Sequence, residues 1–471
     1  MNDKGCDIGL FGLGVMGGNF ALNIADKGFR VGVYNRTEEK TRRFMKEEAG
    51  ERSIEAGYSL EKLVKTLKKP RAVLIFVPAG DPVDEVIDEL TPNLKSGDLI
   101  IDSGNSHFRD TNRRSESLSK KGILYLGMGV SGGEYGARHG PSLMPGGSEQ
   151  GYNRVRSILE ASAASVKGEP CVAYMGPGSA GHYVKMVHNG IEYGIMQLIA
   201  ESYDLLKRGL NLDVERIQSI YSQWNQGKLS SYLVEITAHV LARRDERSGK
   251  PLVDLILDRA RQKGTGMWTS RDALDLHTPV PTIDVAVGMR NLSDYKEERR
   301  AAGEAFGAPS KSYQGDKEAF VHGLQNGLYA AVIITYAQGM ALLREASQAY
   351  EYGLDLEVVA RIWRGGCIIR AALLEDIRSA FRKQPDLKNL LLYSGLGKEV
   401  KDRREDLRNV VCTGAELGIP VPGFMSALAY IDAYRSVQLP ANLIMAQRDY
   451  FGAHRYERID AEGTFHTKWQ D

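Results

Sequence analysis

Between Asp7 and about Met175, short apolar runs of β type alternate with segments of helical periodicity. The runs are Ile8 to Phe11, Val31 to Tyr34, Val73 to Val77, Leu99 to Ile101 and Ile123 to Leu126, and their order predicts βαβ units in a mainly parallel, doubly wound, Rossmann-like α/β sheet. After Gly176-Pro177-Gly178-Ser179 the period changes, and amphipathic Ala/Leu-rich segments run to about Leu439, so this large second part is expected to be all α. Its longest helix, about Asp316 to Tyr350, should cross the whole helical region. From Pro440 the chain turns polar, charged and aromatic, as in a C-terminal tail that needs a docking partner. The expected division is 1–179, 180–439 and 440–471.

The helical part contains a diverged internal duplication. Asn189-Gly190 is echoed by Asn326-Gly327, Gly209-Leu210-Asn211-Leu212-Asp213-Val214 by Gly353-Leu354-Asp355-Leu356-Glu357-Val358, and Trp224 with Glu235-Ile236 by Trp363 with Asp376-Ile377. Aligned on the two asparagines, the second copy has His322 for Lys185, Gln325 for His188 and Tyr329 for Glu192. Polar groups that one copy folds without are free to serve chemistry in the other.

Lys185, His188, Asn189 and Glu192 recur at i, i+3, i+4 and i+7, on one side of a helix. Beside them runs the apolar stripe Val184, Val187, Ile191, Ile195 and Leu198, so the polar side lies along the edge of a buried surface. A lysine placed there is partly desolvated and can act as a base. The competing reading is a solvated side held by ion pairs. Helical salt bridges favour i+4 spacing, however, and Lys185 and Glu192 are about 10 Å apart along the axis.

A chain of 471 residues, 42% hydrophobic and 26% charged, is a soluble globular protein of two or three domains. Its net charge of +1 provides no global field to recruit nucleic acid or an anionic membrane, so anionic ligands must be caught by local clusters. No apolar run is read as long enough to span a membrane, and Met1-Asn2-Asp3-Lys4 leads into a strand without a secretory core, which predicts a cytoplasmic protein. Cys6, Cys171, Cys367 and Cys412 are scattered and read as reduced, structural thiols. Neither cysteine nor histidine spacing suits a metal, so metal-free chemistry is expected.

Gly12-Leu13-Gly14-Val15-Met16-Gly17 follows the first strand and opens a helix, the setting of a dinucleotide-binding turn. Gly12 permits the turn, Gly14 lets a pyrophosphate approach the backbone, and Gly17 lets helix pack on strand. Where an NAD enzyme offers a carboxylate to the ribose, this chain has Asn35-Arg36-Thr37, whose guanidinium suits a 2′-phosphate, so NADP is the expected cofactor.

Asn105 and Ser131-Gly132-Gly133 fall at the carboxyl ends of strands, where open α/β sheets bind ligands. Lys263-Gly264-Thr265-Gly266 suits either a helix C-cap or a phosphate nest, and Arg290 adds a fork-shaped donor. Together with Gly127 to Glu134, Lys185 to Tyr193 and Gln447 to His454, these motifs resemble the 6-phosphogluconate dehydrogenases over nearly the whole chain. The resemblance implies oxidative decarboxylation of 6-phospho-D-gluconate by NADP in the pentose phosphate pathway. It implies Lys185 as the base at the C3 hydroxyl and Glu192 as the acid that protonates the enediol at C2. Asn105, Ser131, Gly132, Gly133, His188 and Asn189 are implied to hold the sugar acid, and Tyr193, Lys263, Thr265 and Arg290 its phosphate. Val77, Pro78, Ala79 and Asn105 are implied beside the cofactor.

The resemblance further makes 1–179 the dinucleotide-binding domain and 180–439 the substrate and dimerisation domain. It makes 440–471 a tail whose Arg448 and His454 complete the site of the other subunit in a homodimer. The chain departs from the usual pattern at Ser103, at Tyr135 and at Pro78, where a lysine is common. Two rivals stand beside this reading: another β-hydroxyacid dehydrogenase, and a catalytically silent NADP-binding sensor.

Overall fold

Every residue of Ile8–Phe11, Ala72–Ile75 and Leu99–Asp102 is buried, so these strands have no solvated side and need helices on both faces of their sheet. The structure, a computed structural model, describes residues 5–307 and 311–470. The leader Met1 to Lys4 lies outside the described residues. Strands β1 (Ile8–Phe11), β2 (Val31–Tyr34), β3 (Ile54–Ala56), β4 (Ala72–Ile75), β5 (Leu99–Asp102), β6 (Leu124–Ser131) and β7 (Ser142–Gly147) form one sheet in the order β3-β2-β1-β4-β5-β6-β7. All pairs are parallel except β6 with β7.

The five strands expected from sequence are present; β3 and β7 are additional. No residue of β3 is fully buried, so it presents no apolar run. β7 reads Ser-Leu-Met-Pro-Gly-Gly, and its proline is tolerated because the strand lies at the sheet edge. Helices α1 (Val15–Asp26), α2 (Glu38–Phe44), α3 (Leu60–Thr66), α4 (Asp81–Leu90), α5 (Phe108–Ser119), α6 (Gly133–His139) and α7 (Glu149–Ser162) cover the sheet. Leu10, Leu74 and Ile101 belong to one apolar cluster and Phe11, Ile75 and Ile100 to another, as alternation across a sheet requires. Strand order reverses between β1 and β4, which opens a crevice at their carboxyl ends.

A short hairpin, β8 (Ser165–Val166) with β9 (Glu169–Pro170), leads into the helical part. There α8 (Ala180–Asp204), α9 (Val214–Trp224), α10 (Tyr232–Ala242), α11 (Thr265–Asp275) and α12 (Pro281–Asp294) precede α13 (Lys296–Phe306). The same succession follows as α14 (Lys317–Ala349), α15 (Leu356–Trp363), α16 (Leu373–Lys383), α17 (Ser394–Leu417) and α18 (Pro422–Tyr434). Local chemistry repeats too. Asp213 and Asp355 cap α9 and α15 through their carboxylates. α12 and α18 each start with proline after a valine of nearly identical backbone angles, −128°, 49° and −130°, 51°. The caps correct the register expected from sequence, which paired Asp213 with Glu357: the equivalent residue is Asp355.

The two units close on each other reciprocally. Gln338 of α14 accepts the Thr282 N–H at 3.0 Å at the start of α12, and Glu201 of α8 accepts the Gly423 and Phe424 N–H groups at 2.7 and 3.1 Å at the start of α18. Glu201 and Gln338 stand equally far in sequence from Asn189 and Asn326. Burial pushes the Glu201 carboxyl up to about 7, against the downward pull of Gln197 and the two amides. Glu201→Ala, which orphans both N–H groups, should cost about 2–4 kcal/mol in urea denaturation. Because the folded carboxyl titrates above its ordinary 4.5, its contribution is complete below that pH and declines as pH rises through about 7. The gap between wild type and variant should shrink accordingly.

α14 corrects the expectation that nothing here could span a membrane: it is long and apolar enough, but 89% of its apolar window is buried inside the protein. It is a core helix, capped by Asp316. Cys6, Cys171 and Cys367 are buried, whereas Cys412 is exposed. The tail forms α19 (Ala441–Gly452) and a hairpin of β10 (Tyr456–Glu457) with β11 (Thr464–Phe465).

Candidate active site

Glycines bring α8 onto the sheet. A Cβ on Gly181 would lie 2.2 and 2.3 Å from the Met144 and Gly127 carbonyl oxygens, and one on Gly129 would lie 2.4 Å from the Lys185 Cβ. The first turns of α8 therefore rest directly on β6 and β7, and Lys185 sits against β6 near its carboxyl end. Lys185, His188 and Asn189 are buried, so the solvated ion-pair reading of this helix side fails.

Lys185 Nζ donates to Asn189 Oδ1 at 2.8 Å and lies 3.4 Å from His188 Nδ1. His188 Nδ1 faces the same Asn189 oxygen at 3.0 Å and its Nε2 faces Ser131 Oγ at 3.2 Å, an arrangement that puts the imidazole proton on Nδ1 and lets Nε2 accept the Ser131 hydroxyl. Asn189 Nδ2 donates to Thr265 Oγ1 at 3.2 Å. Burial lowers the Lys185 ammonium below its ordinary 10.5, with Glu192 opposing, and raises the Glu192 carboxyl above 4.5, with Lys185 and Arg290 opposing. Burial and the nearby Lys185 keep His188 neutral. Burial thus shifts a lysine towards its neutral form and a glutamate towards its protonated form on one helix side.

α11 crosses α8 where Gly190 meets Thr269 and Gly266 meets the Tyr193 ring. Lys263-Gly264-Thr265-Gly266 opens α11 instead of ending a helix, with Gly264 at φ 100° as its N-cap, so the C-cap reading fails. The Arg290 guanidinium stacks 3.6 Å from the Tyr193 ring centroid, and Lys263 is exposed. Asn105 is exposed at the end of β5. Beneath it, buried Asp102 accepts from Gly104 N–H at 3.0 Å, Ser106 Oγ at 2.6 Å and Tyr125 Oη at 3.1 Å. Gly132 and Gly133 have φ of 121° and 61°, and a Cβ on Gly132 would strike the Gly366 carbonyl at 2.5 Å.

The crevice between β1 and β4 is lined by Gly12, Gly14, Asn35, Arg36, Val77 and Pro78, with Lys40, Phe76, Pro82 and Val86. A Cβ on Gly12 would lie 2.2 Å from the Phe76 oxygen and one on Gly17 1.9 Å from the Gly12 oxygen, whereas nothing stands within 4 Å of one on Gly14. Gly14 is thus open to a ligand, and the cradle fits a dinucleotide pyrophosphate. Asn35 Oδ1 accepts the Leu13 N–H at 3.1 Å, holding the turn. Val15 is exposed at the start of α1, Met16 is half-buried, Thr37 stands at the N-cap position of α2 without a side-chain capping bond, and Ala79 is exposed outside this lining. Arg36 was expected to be free for a phosphate; its two terminal nitrogens instead meet Glu85 at 3.0 Å and Glu89 at 2.9 Å. These exposed pairs are weak and exchangeable for a phosphate.

Arg448 and His454 are not brought to this site within one chain. Both are exposed on the tail, where Arg448 meets Met445 and the His454 ring meets Phe451. Sequence reasoning missed Lys40, although it stands one helical turn after Arg36 in the same cleft. It also missed Trp363 of the second repeat, whose ring lies edge-on to His188 at 5.5 Å.

Residues 7–176 match the family model described as the NAD binding domain of 6-phosphogluconate dehydrogenase, and residues 181–469 match that for the 6-phosphogluconate dehydrogenase C-terminal domain. The chain is 52% identical over 464 residues to 6-phosphogluconate dehydrogenase, decarboxylating, of Synechococcus elongatus, covering 98% of each. It is 50% identical over 463 residues to the NADP(+)-dependent decarboxylating enzyme of Bacillus subtilis, again covering 98% of each. The solved Plasmodium falciparum 6-phosphogluconate dehydrogenase, described in apo form and in complexes with its cofactor NADP+ and its substrate 6-phosphogluconate, superposes with a TM-score of 0.95 at 46% identity, covering 98% of this chain and 100% of that one.

Proposed function

The chain belongs to the 6-phosphogluconate dehydrogenase family, and from that membership we infer that Lys185 and Glu192 carry its NADP-dependent oxidative decarboxylation of 6-phosphogluconate. The observation that carries the assignment is their shared helix side, where burial shifts the lysine towards its neutral, proton-accepting form and the glutamate towards its protonated, proton-donating form.

Neutral Lys185 takes the proton of the substrate's C3 hydroxyl as that carbon is oxidised. The resulting ammonium then polarises the new C3 carbonyl, which draws in the electrons of the breaking C1–C2 bond as CO₂ departs. Glu192 protonates the enediol at C2, giving ribulose 5-phosphate. NADP, held by Gly12, Gly14, Asn35 and Arg36, supplies the hydride acceptor when bound. Ser131, Gly132, Gly133, Asn105, His188 and Asn189 hold the sugar acid. Tyr193, Lys263, Thr265 and Arg290 surround its phosphate, a role supported by the glycine-capped start of α11 and the adjoining guanidinium.

The division 1–179 for nucleotide, 180–439 for substrate and dimerisation and 440–471 for the tail belongs to the same reading. So does a homodimer in which Arg448 and His454 reach the other subunit's site, supported by their exposure on a tail that leaves Leu443, Ile444 and Phe451 in solvent. A cytoplasmic setting accords with four free thiols.

NADPH formation at 340 nm tests the substrate class: the reading requires appreciable turnover with 6-phosphogluconate, and equal turnover of unphosphorylated gluconate would refute the phosphate nest. Arg36→Glu tests the cofactor assignment. A carboxylate facing the 2′-phosphate should raise KM for NADP by about 100-fold and leave KM for NAD within a few-fold; equal effects on both would remove Arg36 from the 2′-phosphate.

A further inference from the structure

Among the described residues after Tyr434, one alone is buried: Asp449, on α19. Its Oδ1 accepts the Arg455 N–H at 2.9 Å and faces His466 Nδ1 at 2.9 Å, while Oδ2 accepts the Thr467 N–H at 3.0 Å and the Trp469 indole N–H at 2.8 Å. All four donors belong to the tail, whose apolar side chains Leu443, Ile444, Phe451 and Ile459 face solvent. The tail is therefore organised around a carboxylate in place of an apolar core. Burial pushes that carboxyl up, but the Thr467, His466, Trp469 and Arg455 donors outweigh it and hold the group well below the usual carboxylate range.

The backbone on either side of His454 is unusual. Ala453 and Arg455 have φ of 51° and 62°, in the left-handed region that side-chain-bearing residues avoid unless their surroundings impose it. Asp449 restrains both: its carbonyl accepts the Ala453 N–H at 2.9 Å and its carboxylate accepts the Arg455 N–H. We propose that Asp449 is a positioning residue that locks the 453–455 turn, and with it the presentation of His454 to the partner subunit's substrate site; the proposal rests on the reading that the tail completes that site in trans.

Asp449→Asn is the discriminating variant. An amide nitrogen cannot accept, so one of the two donor pairs is left facing another donor while size and shape are kept. The test uses full-length protein in four forms: D449N, H454A, R448A and the double variant D449N/H454A. It reads KM for 6-phosphogluconate, kcat, NADP affinity by fluorescence and assembly size by sedimentation. D449N should raise that KM by about 10-fold or more, as a displaced contact group does, with NADP affinity and assembly size unchanged. The double variant should be no worse than H454A, because Asp449 acts through His454. Multiplying effects in the double variant, a wild-type KM for D449N beside a raised one for H454A, or a smaller assembly for D449N would each overturn the positioning role while leaving the trans-completed site in place. Wild-type KM values for both H454A and R448A would remove trans-completion itself, and this proposal with it.

Discussion

Replacing Lys185 by methionine should lower kcat with 6-phosphogluconate by about 10³- to 10⁴-fold, the scale on which a positioned general base and the charge it leaves behind contribute. Methionine keeps an unbranched apolar stem against Gly129 and removes only the amine, so packing of α8 on β6 is retained. NADP binding should be unaffected, since the crevice at β1 and β4 contains no part of α8. The wild-type pH profile carries the same signature. Only the neutral amine can accept a proton, and burial has lowered its titration from 10.5, so the acid limb of kcat/KM should fall below the ordinary lysine range. Turnover by the methionine variant close to wild type would show that another group takes the proton.

Ending the chain before Gln447 should lower turnover by at least about 100-fold while sparing NADP affinity. The cleft proposed for the nucleotide is lined by residues between Phe11 and Val86, whereas the proposed contacts of the tail with the other subunit run through Arg448, His454 and exposed apolar side chains. Isothermal titration with NADP and a rate assay on the truncated protein separate the two effects. A fully active truncated enzyme would refute completion of the site by the tail, whatever the role of Asp449.

The strands β1, β2, β4, β5 and β6 were legible because they are buried on both sides and write themselves as continuous apolar runs; β3 and β7, short or lying at an edge, carry no such mark. The polar side of α8 was legible for the opposite reason: Lys185, His188 and Asn189 interrupt an apolar helix at its own period, and their burial removes the solvated alternative. What periodicity could not supply is contact across distant segments. That Glu201 caps α18 while Gln338 caps α12 depends on how the two repeats close, and Trp363 reaches His188 only because the second repeat folds back onto the first. Arg36 shows the same limit, since the motif suggested a phosphate ligand without revealing that Glu85 and Glu89 of α4 pair with it.

A crystal structure of the protein with 6-phosphogluconate and NADPH bears most directly on the role of Lys185. The account predicts that Nζ, now 2.8 Å from Asn189 Oδ1, lies within about 3.2 Å of the substrate's C3 oxygen in that complex. An Nζ that remains out of hydrogen-bond reach of that oxygen in a closed, fully liganded site would contradict it.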